Sequence, residues 1–249
     1  MEFFETDDGV RIAYAVAGEG SPVVLAHGFA STHAVNWVAT GWAKVLTGAG
    51  YRVIMPDMRG HGESGKSHDK ADYTLAAMAG DLVALLDHLG EPGADLMGYS
   101  MGAMAALVAG MEYPDRFDRI VAAGVGARLL DPKRDPGPVI EALLTEDPSG
   151  IEDKSALLFR TFADQNKQDR EALAACFEAV RAPFPVEGLG GIRRPVLVVA
   201  GETDVQAGAP GPLAERIPGG EAAVVPKRDH MKTVGDRGYK EAVLKFLGG

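Results

Sequence analysis

Asp95-Leu96-Met97-Gly98-Tyr99-Ser100-Met101-Gly102-Ala103-Met104-Ala105-Ala106-Leu107-Val108 carries a short apolar run through a glycine-flanked serine into a helix-forming run. The pentapeptide Gly98 to Gly102 has the form G-x-S-x-G. Its glycines are explained if strand turns sharply into helix, because such a turn crowds the backbone and leaves the serine side chain projecting from it. Seven serines and 32 glycines in 249 residues give about 0.1 such pentapeptides by chance, so the strand-turn-helix setting adds the weight the pattern alone lacks. The plain structural alternative is a serine that merely caps the helix.

Outward from this turn, other short apolar runs stand at 22–26, 52–56, 94–97, 119–125, 195–200 and 222–225, bounded by Gly, Pro or Asp, as suits strands buried on both faces. At the start, Asp8-Gly9 separates residues 3–5 from 11–16 and reads as a β-hairpin. Between the runs lie helical patterns. Leu75, Met78, Leu82, Leu85, Leu86 and Leu89 form one apolar stripe behind Thr74 as N-cap. The alternation predicts an α/β fold, a mostly parallel, doubly wound sheet of about eight strands, with its chemistry at the strands' carboxyl ends.

The alternation breaks over residues 127–194, where helix-like segments occur without a convincing strand. This stretch is expected to be a small helical cap inserted into a core domain made of 1–126 and 195–249. Leu173, Cys176, Phe177 and Val180 mark one amphipathic face, and Leu158 with Phe162 a second. Such faces either cover a pocket or simply pack against the core.

Composition narrows the partners. With 46% apolar and 24% charged residues the chain is of the ordinary globular kind. Its net charge of −10 opposes binding to nucleic acid or to an anionic membrane surface. Cys176 is the single cysteine, so neither an intrachain disulfide nor a cysteine-built metal cluster is available. The acidic start Met-Glu-Phe-Phe-Glu-Thr-Asp-Asp lacks the basic and long apolar regions of a secretory signal, and a cytoplasmic protein, monomer or homodimer, is expected.

A serine hydroxyl needs a base. Of six histidines, His230 follows the last apolar run and precedes the final helix, which places it at the same edge as Ser100. The histidine needs a carboxylate to fix its tautomer. Asp204, three residues past Pro195–Gly201, completes the chain order Ser, Asp, His. Glu202 and Asp131 are rivals, while Asp229 neighbours His230 and in extended backbone points to the opposite side. An oxyanion can be held by the backbone N–H groups of Met101 and of Phe29, the latter in His27-Gly28-Phe29-Ala30 after the first buried strand.

Together His27-Gly28-Phe29, Asp57-Met58-Arg59-Gly60-His61-Gly62-Glu63-Ser64, the Ser100 pentapeptide, Asp204 and His230 resemble the α/β-hydrolase family over essentially the whole chain. The resemblance implies that the D-x-R-G-x-G-x-S loop is scaffold. It also implies that dehalogenases and most epoxide hydrolases carry aspartate where this chain has Ser100, and that epoxide hydrolases typically show H-G-x-P where this chain has His27-Gly28-Phe29-Ala30. No cofactor and no metal are implied.

The resulting expectation is a serine hydrolase, a carboxylesterase acting on a small acyl substrate. Phe29, Tyr99, Leu158, Phe159 and Phe177 are the expected pocket residues, joined by Met101 and by Trp37, though a tryptophan in a helix is more often simply core. Enol-lactone hydrolysis, carbon–carbon bond hydrolysis and cofactor-free perhydrolysis use the same triad, with Arg160, Arg170 and Arg181 as available cap cations. A slow-turnover ligand receptor of the same fold is the reading from another class.

Overall fold

Residues of alternate parity along each central strand go to opposite faces, and that period of two builds two cores. Val24, Ala26, Ile54, Leu96, Ile120, Ala122, Val196 and Val198 belong to one. Val23, Leu25, Val53, Met55, Met97, Val121, Ala123, Leu197 and Val199 belong to the other. The computed structural model describes residues 1–131 and 135–248. Pro132, Lys133 and Arg134, inside the expected cap, and Gly249, at the end of the expected core domain, lie outside the described residues.

The strands are β1 (Glu2–Glu5), β2 (Arg11–Ala17), β3 (Ser21–Ala26), β4 (Tyr51–Pro56), β5 (Ala94–Tyr99), β6 (Phe117–Ala123), β7 (Val196–Gly201) and β8 (Glu221–Val225), in one sheet of order β1-β2-β4-β3-β5-β6-β7-β8. The β1–β2 and β2–β4 pairs are antiparallel and the rest parallel. Gly9 turns the opening hairpin at φ 80°, a conformation glycine adopts without penalty.

The helices are α1 (Trp42–Gly48), α2 (Leu75–Leu89), α3 (Met101–Glu112), α4 (Gly137–Leu144), α5 (Lys154–Gln165), α6 (Arg170–Val180), α7 (Gly211–Ala214), α8 (His230–Thr233) and α9 (Arg237–Gly248). Helices α2 and α3 supply the first core and α1 and α9 the second, so both faces are covered. Thr74 caps α2, its hydroxyl accepting the Ala77 N–H at 3.0 Å. Gly90 closes the helix in the left-handed conformation.

One strand departs from expectation. β8 is not buried on both faces: it is the sheet's edge, and Val224 is 54% exposed. Among the described residues no helix is long and apolar enough to cross a membrane.

Between β6 and β7 the chain leaves the sheet for α4, α5, α6 and short 3-10 turns, with no strand among the described residues. Arg160, 5% exposed, holds this helical insertion together. It pairs with Asp164 at 2.8 Å and donates to the carbonyls of Ala142 and Thr145. Two side chains from the turn after α5 fasten it to the core: Asn166 Nδ2 donates to Ala30 O at 3.2 Å, and Gln168 Oε1 accepts the Gly62 N–H at 3.1 Å.

Candidate active site

The β5–α3 turn is as tight as its sequence requires. A Cβ on Gly98 would stand 2.2 Å from the Gly102 carbonyl oxygen, and one on Gly102 would stand 2.1 Å from that of Ala26, so neither position accepts a side chain without moving backbone. Ser100, between them, has φ 53° and ψ −110°, a conformation that L-residues rarely hold and that tends to persist at functional sites. Its side chain caps nothing in α3, against the capping alternative, and it lines the cavity above the strand ends.

His230 opens α8 just beyond β8. Its Nδ1 lies 2.8 Å from Asp204 Oδ2, so the proton belongs on Nδ1 and the Nε2 lone pair is left to accept. Asp204 is locked in turn: its Oδ1 accepts the N–H groups of Gln206 and Ala207 at 3.0 and 2.9 Å. Asp229 is engaged elsewhere, capping α8 through the Lys232 N–H. Glu202 accepts from the Lys227 N–H, and Asp131 borders a cleft with Asp135 and Asp153. Tyr99 OH donates to the His230 carbonyl, which ties His230 to the strand that delivers Ser100.

The backbone N–H groups of Phe29 and Met101 have no intramolecular acceptor among the described residues. Met101 opens α3 directly after the serine, and the Phe29 loop is pressed against it: a Cβ on Gly28 would touch Ser100 Cβ at 3.5 Å. The Phe29 loop is braced from behind by His27, whose Nε2 accepts the Met58 N–H at 2.9 Å and whose Nδ1 donates to Gly28 O at 2.8 Å. Burial pushes the His27 pKa down, keeping the ring neutral, as that pairing demands.

The D-x-R-G-x-G-x-S loop is consumed by internal contacts. Asp57 accepts from the His33 N–H and ring at 2.8 Å each and from the Glu63 N–H at 2.9 Å. Burial raises its pKa, but these hydrogen bonds win and set it at about 2. Arg59 forks onto both oxygens of Asp81 at 2.7 and 2.6 Å. His61 is fully buried, with Nδ1 3.0 Å from Arg59 O, and burial lowers its pKa to about 3.

The cavity has two lobes that meet at Ser100, His230, Phe29, Phe159 and Gln206. The larger, about 230 Å³, adds Tyr99, Leu158, Phe162 and Asn36. The smaller, about 50 Å³, adds Met101, Phe177, Arg128 and Arg181. Phe29, Phe159 and Phe177 pack together with ring centroids 4.9–5.7 Å apart, joining the core loop to the insertion. The five expected pocket residues thus all border this cavity. Trp37 does not: it is fully buried against Trp42 in the second core. Of the three expected cap cations, Arg181 lies over the Phe177 ring at 4.5 Å and borders the smaller lobe, whereas Arg160 and Arg170 bond to carbonyls of the insertion.

Sequence reasoning missed Gln206, Arg128 and Asn36. Gln206 sits in a polar loop and Arg128 in a short 3-10 turn, Ala127–Leu130, and linear pattern separates neither from solvated surface. Asn36 carried a faint signal, a polar side chain placed among apolar ones shortly after His27-Gly28. Among the described residues no three His, Cys, Asp or Glu side chains are grouped to hold a metal.

A family model described as alpha/beta hydrolase fold matches residues 21–149. An epoxide hydrolase of Caballeronia sordidicola is 36% identical over 124 residues, 50% of this chain and 37% of that protein. A 3-oxoadipate enol-lactonase of Acinetobacter baylyi is 31% identical over 167 residues, 62% of each. The chain therefore spans less than two thirds of the length of these curated relatives. A hydrolase from Pseudomonas aeruginosa superposes with a TM-score of 0.83 at 28% identity, covering 100% of this chain and 98% of that one.

Proposed function

We infer that this chain, which belongs to the alpha/beta hydrolase fold family, hydrolyses small carboxylic esters through an acyl-enzyme on Ser100. The observation that carries the reading is the 2.8 Å Asp204–His230 contact beside a serine held at positive φ on the same cavity. In the reaction His230 Nε2 takes the Ser100 hydroxyl proton as Oγ attacks the acyl carbon. Asp204 steadies the imidazolium that forms. The Phe29 and Met101 amides receive the negative charge on the former carbonyl oxygen. Collapse expels the alcohol, which takes the proton from His230, and water then enters by the same route to release the acid and restore the serine.

Chemistry separates this from epoxide opening. Serine attack on an epoxide carbon leaves an ether, which water does not readily cleave, whereas attack on an acyl carbon leaves an ester, which it does. The enol-lactonase similarity favours one variation, a cyclic ester opened by the same steps. In either case the helical insertion, residues 127–194, serves as the cap of the site.

Steady-state hydrolysis of p-nitrophenyl acetate, butyrate, octanoate and laurate, with Ser100→Ala alongside, tests the proposal. The expected result is sustained turnover of the short esters and a loss of roughly a thousandfold or more in the variant. Equal rates in both proteins would overturn it, and one equivalent of product followed by silence would point to a receptor.

A further inference from the structure

Asn36 stands in a single turn of π-helix, Ala34–Val38, a form that recurs at functional sites. It is 6% exposed and borders the larger lobe, whose lining joins the apolar Val35, Leu158 and Phe162 to the polar Ser31 and Thr40. Its Oδ1 accepts the Gly28 N–H at 3.2 Å. That bond fixes which way the amide faces, since only the oxygen can accept. Nδ2 is left buried and without an acceptor among the described residues. A buried donor without a partner is destabilising, and its retention calls for an explanation.

Gly28 separates this amide from the nucleophile. A Cβ there would stand 3.7 Å from Asn36 Oδ1 and 3.5 Å from Ser100 Cβ. Asn36, Gly28 and Ser100 therefore stand side by side along one wall of the larger lobe. We propose that Asn36 determines specificity: Nδ2 donates to an oxygen carried by the part of the substrate that fills the larger lobe. The favoured class is then esters bearing an ether, hydroxyl or keto oxygen near the scissile carbonyl, rather than plain hydrocarbon esters. This rests on the ester-hydrolase reading of the same site. A pocket built to hydrogen-bond its substrate discriminates strongly against an analogue that lacks the acceptor.

Two pairs of matched shape test it: p-nitrophenyl methoxyacetate against p-nitrophenyl butyrate, and 2-methoxyethyl acetate against butyl acetate. In each pair the ratio of kcat/KM, oxygenated over hydrocarbon, is compared between wild type, Asn36→Asp and Asn36→Ala, which cancels intrinsic ester reactivity. With its carboxyl ionised at the assay pH, Asn36→Asp still accepts from Gly28 but cannot donate, and Asn36→Leu, close in shape, replaces either variant that does not fold. The expected result is a fall of about three- to tenfold in the ratio for at least one pair. If Asn36 only braces Gly28, both members of a pair lose rate together in Asn36→Ala and the ratios stay unchanged, which overturns the proposal.

Binding to Ser100→Ala reads the same contact without turnover. The methoxyacetate ester should raise its Tm more than the butyrate does, and the difference should vanish in Ser100→Ala combined with Asn36→Asp. Absence of any Ser100-dependent turnover in the wild type would sink the ester reading, while this binding comparison still decides the role of Asn36.

Discussion

Asp204 Oδ2 lies 2.8 Å from His230 Nδ1, while the other oxygen of the same carboxylate is held by the amides of Gln206 and Ala207. One side chain thus orients His230 and shapes its own loop. Asp204→Asn keeps the size and an oxygen for the two amides but loses the charge that steadies the imidazolium. We expect kcat to fall by roughly 10³–10⁴ with little change in Tm. Asp204→Ala should lower both, and ester kinetics beside thermal denaturation separates the two effects.

Ser100 holds φ 53° with a side chain that contributes no helix cap. Strain of this kind is worth about 1–3 kcal/mol, and glycine relieves much of it. Ser100→Gly should therefore be more stable than Ser100→Ala, by about 1 kcal/mol in urea denaturation, while both are inactive. Equal stability of the two variants would remove strain from the account of this turn.

Acid should unfold the protein through His61 and Asp57. Burial depresses the His61 pKa from 6.5 to about 3, so the unfolded chain takes up a proton that the folded one refuses. Stability is complete above 6.5 and declines as pH falls toward 3. Asp57, lowered from 3.8 to about 2, has the same sign and acts lower, its stabilisation being lost between those values. In urea titrations across pH 7 to 3, His61→Asn should flatten the upper part of this slope; an unchanged slope would exclude His61 as its source.

The larger lobe limits the substrate. A cavity of about 150 Å³ accepts benzene, so about 230 Å³ suits a group somewhat larger and not a dodecanoyl chain. Rates should fall from butyrate to laurate, and Phe162→Ala, which removes part of the wall, should raise laurate hydrolysis relative to butyrate by roughly tenfold. Unchanged chain-length preference in that variant would place the acyl group elsewhere.

The fold was legible because its determinants are local. Gly98 and Gly102 announce a turn that no side chain tolerates, and the apolar runs announce strands with helices on both faces. Residues 222–225 read as a strand buried on both faces but form the edge strand β8, because an edge strand and an inner strand can share one apolar run and only the sheet order distinguishes them. Ser100, Asp204 and His230 could be picked out since each follows a strand. The partners of Arg160 and Arg170 were not legible, because a cation that holds carbonyls and one that greets a substrate look alike in a helix. Asn36 and Gln206 lie closer still to that limit, since their importance rests on what faces them across the cavity.

Asn166 donates to the carbonyl of Ala30 and Gln168 accepts from Gly62, and Ala30 is the next residue after Phe29. Any drift in the turn after α5 is thereby felt at an amide far away in sequence. Substitutions in this insertion would then act less through what it touches than through where it leaves the Phe29 N–H, and a graft of a foreign insertion must bring that tether with it to keep the amide in place.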